Sequence, residues 1–125
     1  MATLFSVPIP PMGDHPGGAI VATEPAQAVY LLTITSPPDN RLTTPSCTAM
    51  LDALDLLEFG GYKPGVVVTT SGIDKFYSNG LDLEHAMGTE GFLPGVLFKL
   101  FARFLTYVFL FSFLGWWSEF DADMT

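Results

Sequence analysis

The chain reads as an α/β domain in which a short run of strands starts a sheet and one helix crosses between two of them. Three features predict this. Ala28 to Thr35 alternates two largely apolar faces, as a strand does. Pro45 to Phe59 repeats its apolar residues at helical spacing. Val66, Val67 and Val68 form a short apolar run between Pro64-Gly65 and Ser71-Gly72, the pattern of a buried parallel strand. A strand, a helix and a second strand in this order make a β-α-β crossover, which is right-handed as a rule.

Taken in order, strand character begins at about Phe5 to Val7, and the Pro/Gly-rich stretch from Pro8 to Gly18 is irregular. Ile20 to Glu24 and Ala28 to Thr35 are two strands around the turn Pro25-Ala26-Gln27. In the second, Tyr30, Leu32 and Ile34 share one face and Val29, Leu31 and Thr33 the other. Both faces are mostly apolar, so an interior strand covered on both sides is expected. Ser36-Pro37-Pro38-Asp39 stops it. Thr44 then serves as an N-cap with Pro45 at the first helical position. Cys47, Met50, Leu51, Leu54 and Leu57 fall on one side of the helix, Asp52, Asp55 and Glu58 away from it, and Gly60-Gly61 ends it.

After the valine strand the chain turns through Gly72, Asn79 and Gly80 and restarts as a helix with Asp82 and Glu84 in its first turn. Backbone N–H groups near Gly80 and Leu81 are then left without partners, which makes an anion or oxyanion site. Further on, Leu97, Phe98, Leu100, Phe101, Phe104 and Leu105 keep a helical rhythm, with Lys99 and Arg103 on another face. Phe104 to Trp117 is an uncharged apolar run, shorter than the ~20 residues of a spanning helix and better suited to an interface or a core. The chain closes on the acidic Glu119, Asp121 and Asp123.

Length and composition narrow the classes. At 125 residues the chain is one domain at most. A net charge of -8, from 13 acidic and 5 basic residues, disfavours nucleic acid as a partner. Cys47 is the sole cysteine, which excludes an internal disulfide. The first residues carry neither a basic segment nor a long apolar core, so a secretory leader is not expected. No His, Cys, Asp and Glu set has metal-ligand spacing, and Gly72, Gly80 and Gly88 do not form a nucleotide fingerprint.

Individual polar residues have simple structural roles beside any chemical one. Asp82 suits a helix cap better than a general base, and Glu84 and Glu90 favour a helix start from solvent. His85 has no partner carboxylate at an obvious spacing, and His15 in the Pro/Gly segment is expected to be exposed. Arg41 and Lys75 are either solvated surface charges or the cations that meet an anionic ligand.

Two segments carry a family resemblance. Val66 to Ser71, Gly72, Phe76, Ser78, Gly80, Asp82 and Leu83 form a strand, a Ser-Gly turn and a Phe-Ser-x-Gly-x-Asp-Leu-like run. Upstream, Asp39-Asn40-Arg41-Leu42-Thr43 gives an Asn-x-Leu-Thr pattern leading into a helix with Met50, Leu51 and Leu54. In order and spacing these resemble the enoyl-CoA hydratase/isomerase (crotonase) family, in the manner of its fungal peroxisomal isomerases, over roughly residues 20 to 107.

The resemblance implies the first β-β-α units of a crotonase-type spiral fold, with a partial acyl-CoA-binding domain over 1–107 and a non-family, Phe-rich apolar tail over 108–125. Family units are about twice this length, so the fold is expected to be truncated. The implied substrate is a coenzyme A thioester, with no further cofactor. Its enolate would be held by the Leu81 backbone N–H, presented by Gly80, with Arg41, Lys75, Ser78 and Asn79 toward the substrate. The family's second oxyanion donor and its catalytic carboxylates fall in a later half, so the site is expected to be incomplete. Family members are homo-oligomeric and act in fatty-acid β-oxidation. A peroxisomal location follows by resemblance, with a cytoplasmic one as the alternative, since the chain ends in Asp123-Met124-Thr125 and not in a Ser-Lys-Leu-like address. The competing expectation is a small membrane-associated interaction protein that uses the apolar tail.

Overall fold

Strands β1 (Thr3–Ile9), β2 (Gly18–Ala26) and β3 (Val29–Thr35) pair antiparallel in sequence order, and β4 (Val66–Ser71) adds to β3 in parallel. The computed structural model describes residues 2–107, a mixed α/β unit built on this four-stranded sheet. A parallel pair needs a crossover, and helix α1 (Thr44–Phe59) supplies it. Helix α2 (Leu83–Gly88) follows, then a π-helical turn over Phe92–Leu97 that runs into helix α3, residues 98–107. Pro94 inside that turn has no N–H to give, which breaks the regular ladder there.

Register decides which residues meet α1. Val7 pairs with Ile20, Ile20 with Ile34, and Ala22 with Leu32, so these side chains share one face with Tyr30. Against them α1 sets Cys47, Met50, Ala53, Leu54 and Leu57, all buried. Ile20, Leu32 and Ala53 are fully enclosed, and Phe92, Leu97 and Leu100 close the core from the next helical layer. Burial pushes the Cys47 thiol up to about 11.

The helix starts one residue earlier than Thr44 predicts. Thr43 is the N-cap: its side chain accepts from the Ser46 N–H, and the Ser46 side chain accepts from the Thr43 N–H in return. Pro45 still sits in the first turn, where its missing N–H costs nothing. Gly61, at φ 84°, takes the left-handed position after the helix end. Asp52, Asp55 and Glu58 are exposed as expected. Asp55 and Glu58 also receive Arg103 from α3, so Arg103 flanks α1 while Lys99 is exposed. Burial opposes the Arg103 charge, but bonds to Asp55, Tyr107 and Glu58 outweigh it and hold its pKa high.

Two expectations about strand burial are corrected. Val66, Val67 and Val68 are 54%, 38% and 42% exposed, because β4 is the edge of the sheet and nothing among the described residues covers it. In β3, Tyr30 and Leu32 are buried, whereas Val29, Leu31 and Thr33 are half-buried, so one face is covered and not both. An apolar run fixes strand character but says nothing of which neighbour lies above it. β1 is longer than predicted and keeps Pro8 within it, which an edge strand tolerates. The expected tail over 108–125 lies outside the described residues. Among those described, no helix is long and apolar enough to cross a membrane.

Candidate functional site

The site forms where the chain leaves the C-terminal ends of β3 and β4, the end at which open α/β sheets bind ligands. Asn40 organises it. The residue is buried and left-handed at φ 53°, a conformation that asparagine tolerates well. Its Oδ1 accepts from the Ser36 N–H at 2.7 Å. Its Nδ2 lies 3.0 Å from the Ile34 carbonyl, 2.8 Å from Ser71 Oγ and 3.0 Å from the Tyr77 carbonyl. One amide therefore ties the end of β3 to the end of β4 and to the loop beyond.

That loop is then stitched onto residues 39–42. The Leu42 N–H donates to the Gly80 carbonyl at 2.8 Å and the Asp82 N–H to the Leu42 carbonyl at 3.3 Å. Ser78 Oγ donates to the Asn40 carbonyl at 2.7 Å and accepts from the Gly80 N–H at 3.1 Å. Asn79 gives its N–H to the Asp39 carbonyl at 2.9 Å and its side-chain amide to Asp39 Oδ2 at 3.0 Å. Gly80 sits at φ 78° with open space where a Cβ would be, so backbone conformation and not crowding selects glycine here.

This pairing directs the Leu81 N–H away from residues 41–43, since alternate residues of an extended segment point their amides to opposite sides. Among the described residues it donates to no acceptor. The donor belongs to a turn and not to a helix start, as the sequence suggested, because α2 begins two residues later and is six residues long.

A cavity of about 520 Å³ lies beside this turn, lined by His15, Asp39, Arg41, Asn79, Leu81 and Asp82, with Asp14, Pro38 and Glu84 around it. Arg41 Nε pairs with Asp39 Oδ2 at 2.9 Å. Burial raises the Asp39 pKa, but hydrogen bonds from Asn79 and Arg41 outweigh it, so the carboxyl stays below its ordinary value. Asp39 Oδ1 is buried with no partner among the described residues. Asp82 caps α2: Oδ1 accepts from the His85 N–H at 3.0 Å, and Oδ2 lies 2.6 Å from His15 Nε2. The His85 backbone bond, then the His15 ring, hold Asp82 below the usual carboxylate range.

Arg41, Asn79 and Leu81 thus come together at the cavity, with Gly80 and Ser78 in the turn that shapes it. Lys75 stands apart. It is exposed, with its ammonium 5.5 Å from the centre of the Phe76 ring, and does not line the cavity. The expectation that His15 is exposed is corrected: its side chain is 18% exposed and bonded to Asp82. The turn Met12-Gly13-Asp14-His15, closed by Met12 and His15 backbone bonds, delivers it. Gly13-Asp14 announces a turn in sequence, but nothing local announces where that turn lands. His85 has an anchoring role, with Nε2 at 3.2 Å from the Thr44 N–H, Nδ1 at 3.2 Å from Thr89 Oγ1, and its ring edge-on to Phe92.

Among the described residues no group of three or more His, Cys, Asp or Glu could hold a metal ion. Comparison with family models, with curated proteins and with solved structures returns no match.

Proposed function

We propose that this cavity binds an acyl thioester in the manner of the crotonase family, with the Leu81 N–H meeting the thioester oxygen as negative charge develops on it. One observation carries the reading. The two segments that resemble the family, 39–43 and 76–83, are joined through Leu42 and Gly80 and through Asn40 and Ser78, and the Leu81 amide is left unengaged. One such donor lowers an enolate barrier by about 3 kcal/mol.

The activity this reading favours is enoyl-CoA isomerisation, with hydration as the related reaction, in peroxisomal β-oxidation and in an assembly of copies. The four carboxylates Asp14, Asp39, Asp82 and Glu84 around the cavity repel phosphate, so the acyl and pantetheine end belongs inside and the nucleotide end outside. The family's second oxyanion donor falls outside the segments that carry the resemblance, so isomerase turnover by this chain alone is expected to be slow, with one donor in place of two. Calorimetric titration with an acyl-CoA tests the reading. It expects binding that Asp82→Asn keeps within about tenfold and that Gly80→Val removes. Loss in the Asn variant with retention in the Val variant would assign the site to the side chain instead.

A second reading has its own support in α3. Phe98, Phe101 and Leu105 lie at i, i+3 and i+7 and are 65%, 52% and 56% exposed, an apolar stripe that suits a lipid surface or a protein partner. Co-sedimentation with phospholipid vesicles, lost in a Phe98→Ser/Phe101→Ser variant, would favour a membrane-associated interaction protein over an enzyme.

A further inference from the structure

We propose that His15, oriented by Asp82, is the proton acceptor of this site, taking a proton through Nδ1 from the carbon next to a bound thioester carbonyl. This rests on the acyl-thioester reading and adds a base from the N-terminal segment, which no part of the resemblance covers.

The geometry is that of an oriented imidazole. His15 Nε2 lies 2.6 Å from Asp82 Oδ2, and the two side chains are only 18% and 14% exposed. The other Asp82 oxygen is taken by the His85 N–H, so Oδ2 is the oxygen left for the ring. An ionised carboxylate has no proton to give, hence in the neutral ring Nε2 carries the hydrogen and Nδ1 the lone pair. Nδ1 has no partner among the described residues, whereas both ring nitrogens of His85 are engaged. His15 and Leu81 line the same cavity, which brings a base and an oxyanion donor to one bound molecule.

The other charged groups at the cavity are Asp14, Asp39, Arg41 and Glu84. Three of these four are carboxylates and one is a cation, and the Arg41 charge is already paired with Asp39. In the step itself the Cα–H bond breaks and its proton goes to Nδ1. The bonding pair moves into the Cα–C bond, and the carbonyl pair moves onto oxygen, where the Leu81 N–H meets it. Return of a proton from Nδ1 restores the thioester, so no oxidant or second reactant is needed. Asp82 is a positioning residue, since its Oδ2 holds Nε2 while the proton passes to Nδ1.

The test incubates the full 125-residue chain with phenylacetyl-CoA in deuterium oxide, following deuterium entry at the α-carbon by mass spectrometry and binding by calorimetry. The wild-type chain is expected to exchange the proton faster than buffer. His15→Gln should bind as before yet lose about a hundredfold in exchange, the size of a general-base contribution. Asp82→Asn should lose part of the exchange while binding is kept. His15→Ala should regain exchange with added imidazole, which a purely structural histidine would not allow. Wild-type exchange in His15→Gln, or wild-type binding without exchange above buffer, would overturn the proposal alone. No binding of phenylacetyl-CoA by the wild-type chain would overturn the thioester reading and the proposal with it.

Discussion

The two sides of this sheet are made from the same kinds of residue and end in opposite conditions. Ile20, Ala22 and Leu32 lie under α1 with no measurable exposure, whereas Val66, Val67 and Val68 in β4 remain 38–54% exposed. Propensity is shared; cover is not. Burial comes from the element that lies above a strand, and α1 packs on β1 and β2 while β4 stays at the edge. The candidate site lies at the junction, where loops leaving the well-packed β3 and the exposed β4 are held together by polar bonds in place of apolar packing. A site built this way is ordered by hydrogen bonds that single substitutions can remove.

Truncation to alanine on both regions, three carbons at Leu54 and two at Val67, tests this difference most strongly. Leu54→Ala, at a position 1% exposed, should cost about 2–5 kcal/mol in chemical denaturation. Val67→Ala in β4 should cost less than about 1 kcal/mol. Equal losses would mean that β4 is covered in solution. At the junction, Asn40→Ala leaves the Ser36 N–H without its acceptor and removes the bonds to Ile34, Ser71 and Tyr77, and a loss of about 1–3 kcal/mol is expected, together with loss of acyl-CoA binding. Retained binding at reduced stability would show that the amide supports the fold and not the site.

A probe of the covered side needs no mutation. With its thiol pushed up to about 11 from 9.0, Cys47 has a thiolate fraction about a hundredfold below that of an ordinary cysteine. Its reaction with a thiol reagent at neutral pH should therefore wait on unfolding, and labelling at the rate of the denatured chain would place α1 off the sheet. The smallest effect is at acid pH. Asp39 and Asp82 are both lowered in the folded state, so their stabilisation is full above the unfolded value of 3.8 and is lost as pH falls through the lowered folded values. Asp39→Asn/Asp82→Asn should flatten the acid limb of a stability–pH curve, and an unchanged limb would mean the pairs do not persist in solution.

Much of the covered half was legible in the residues. The Cys47-Met50-Leu54-Leu57 side, the exposed Asp52-Asp55-Glu58 side and the Gly60-Gly61 stop are local patterns, and local patterns survive folding. The cap moved by one residue because Ser46 completes a reciprocal pair with Thr43, a choice between adjacent threonines that spacing leaves open. The Asp82 cap was legible for the same local reason. The exposure of β4 was not, since periodicity carries no information on neighbours. The His15–Asp82 pair was not either, because it joins residues 67 apart through a turn whose direction depends on the whole sheet. Asn40 stood in the sequence only as part of a pattern, and its reach to Ile34, Ser71 and Tyr77 emerges once β3 and β4 lie side by side.

We propose the Leu81 amide as the unengaged donor that meets a thioester oxygen between the joined segments. Amide proton and nitrogen NMR during titration with an acyl-CoA tests this most directly. A downfield move of the Leu81 amide proton that saturates with the calorimetric binding curve is expected, while the Leu42 and Asp82 amides, already bonded within the loop pairing, move little. Saturable binding that leaves the Leu81 amide in place, with shifts at the groove beside Leu56 and Phe59 instead, would contradict it.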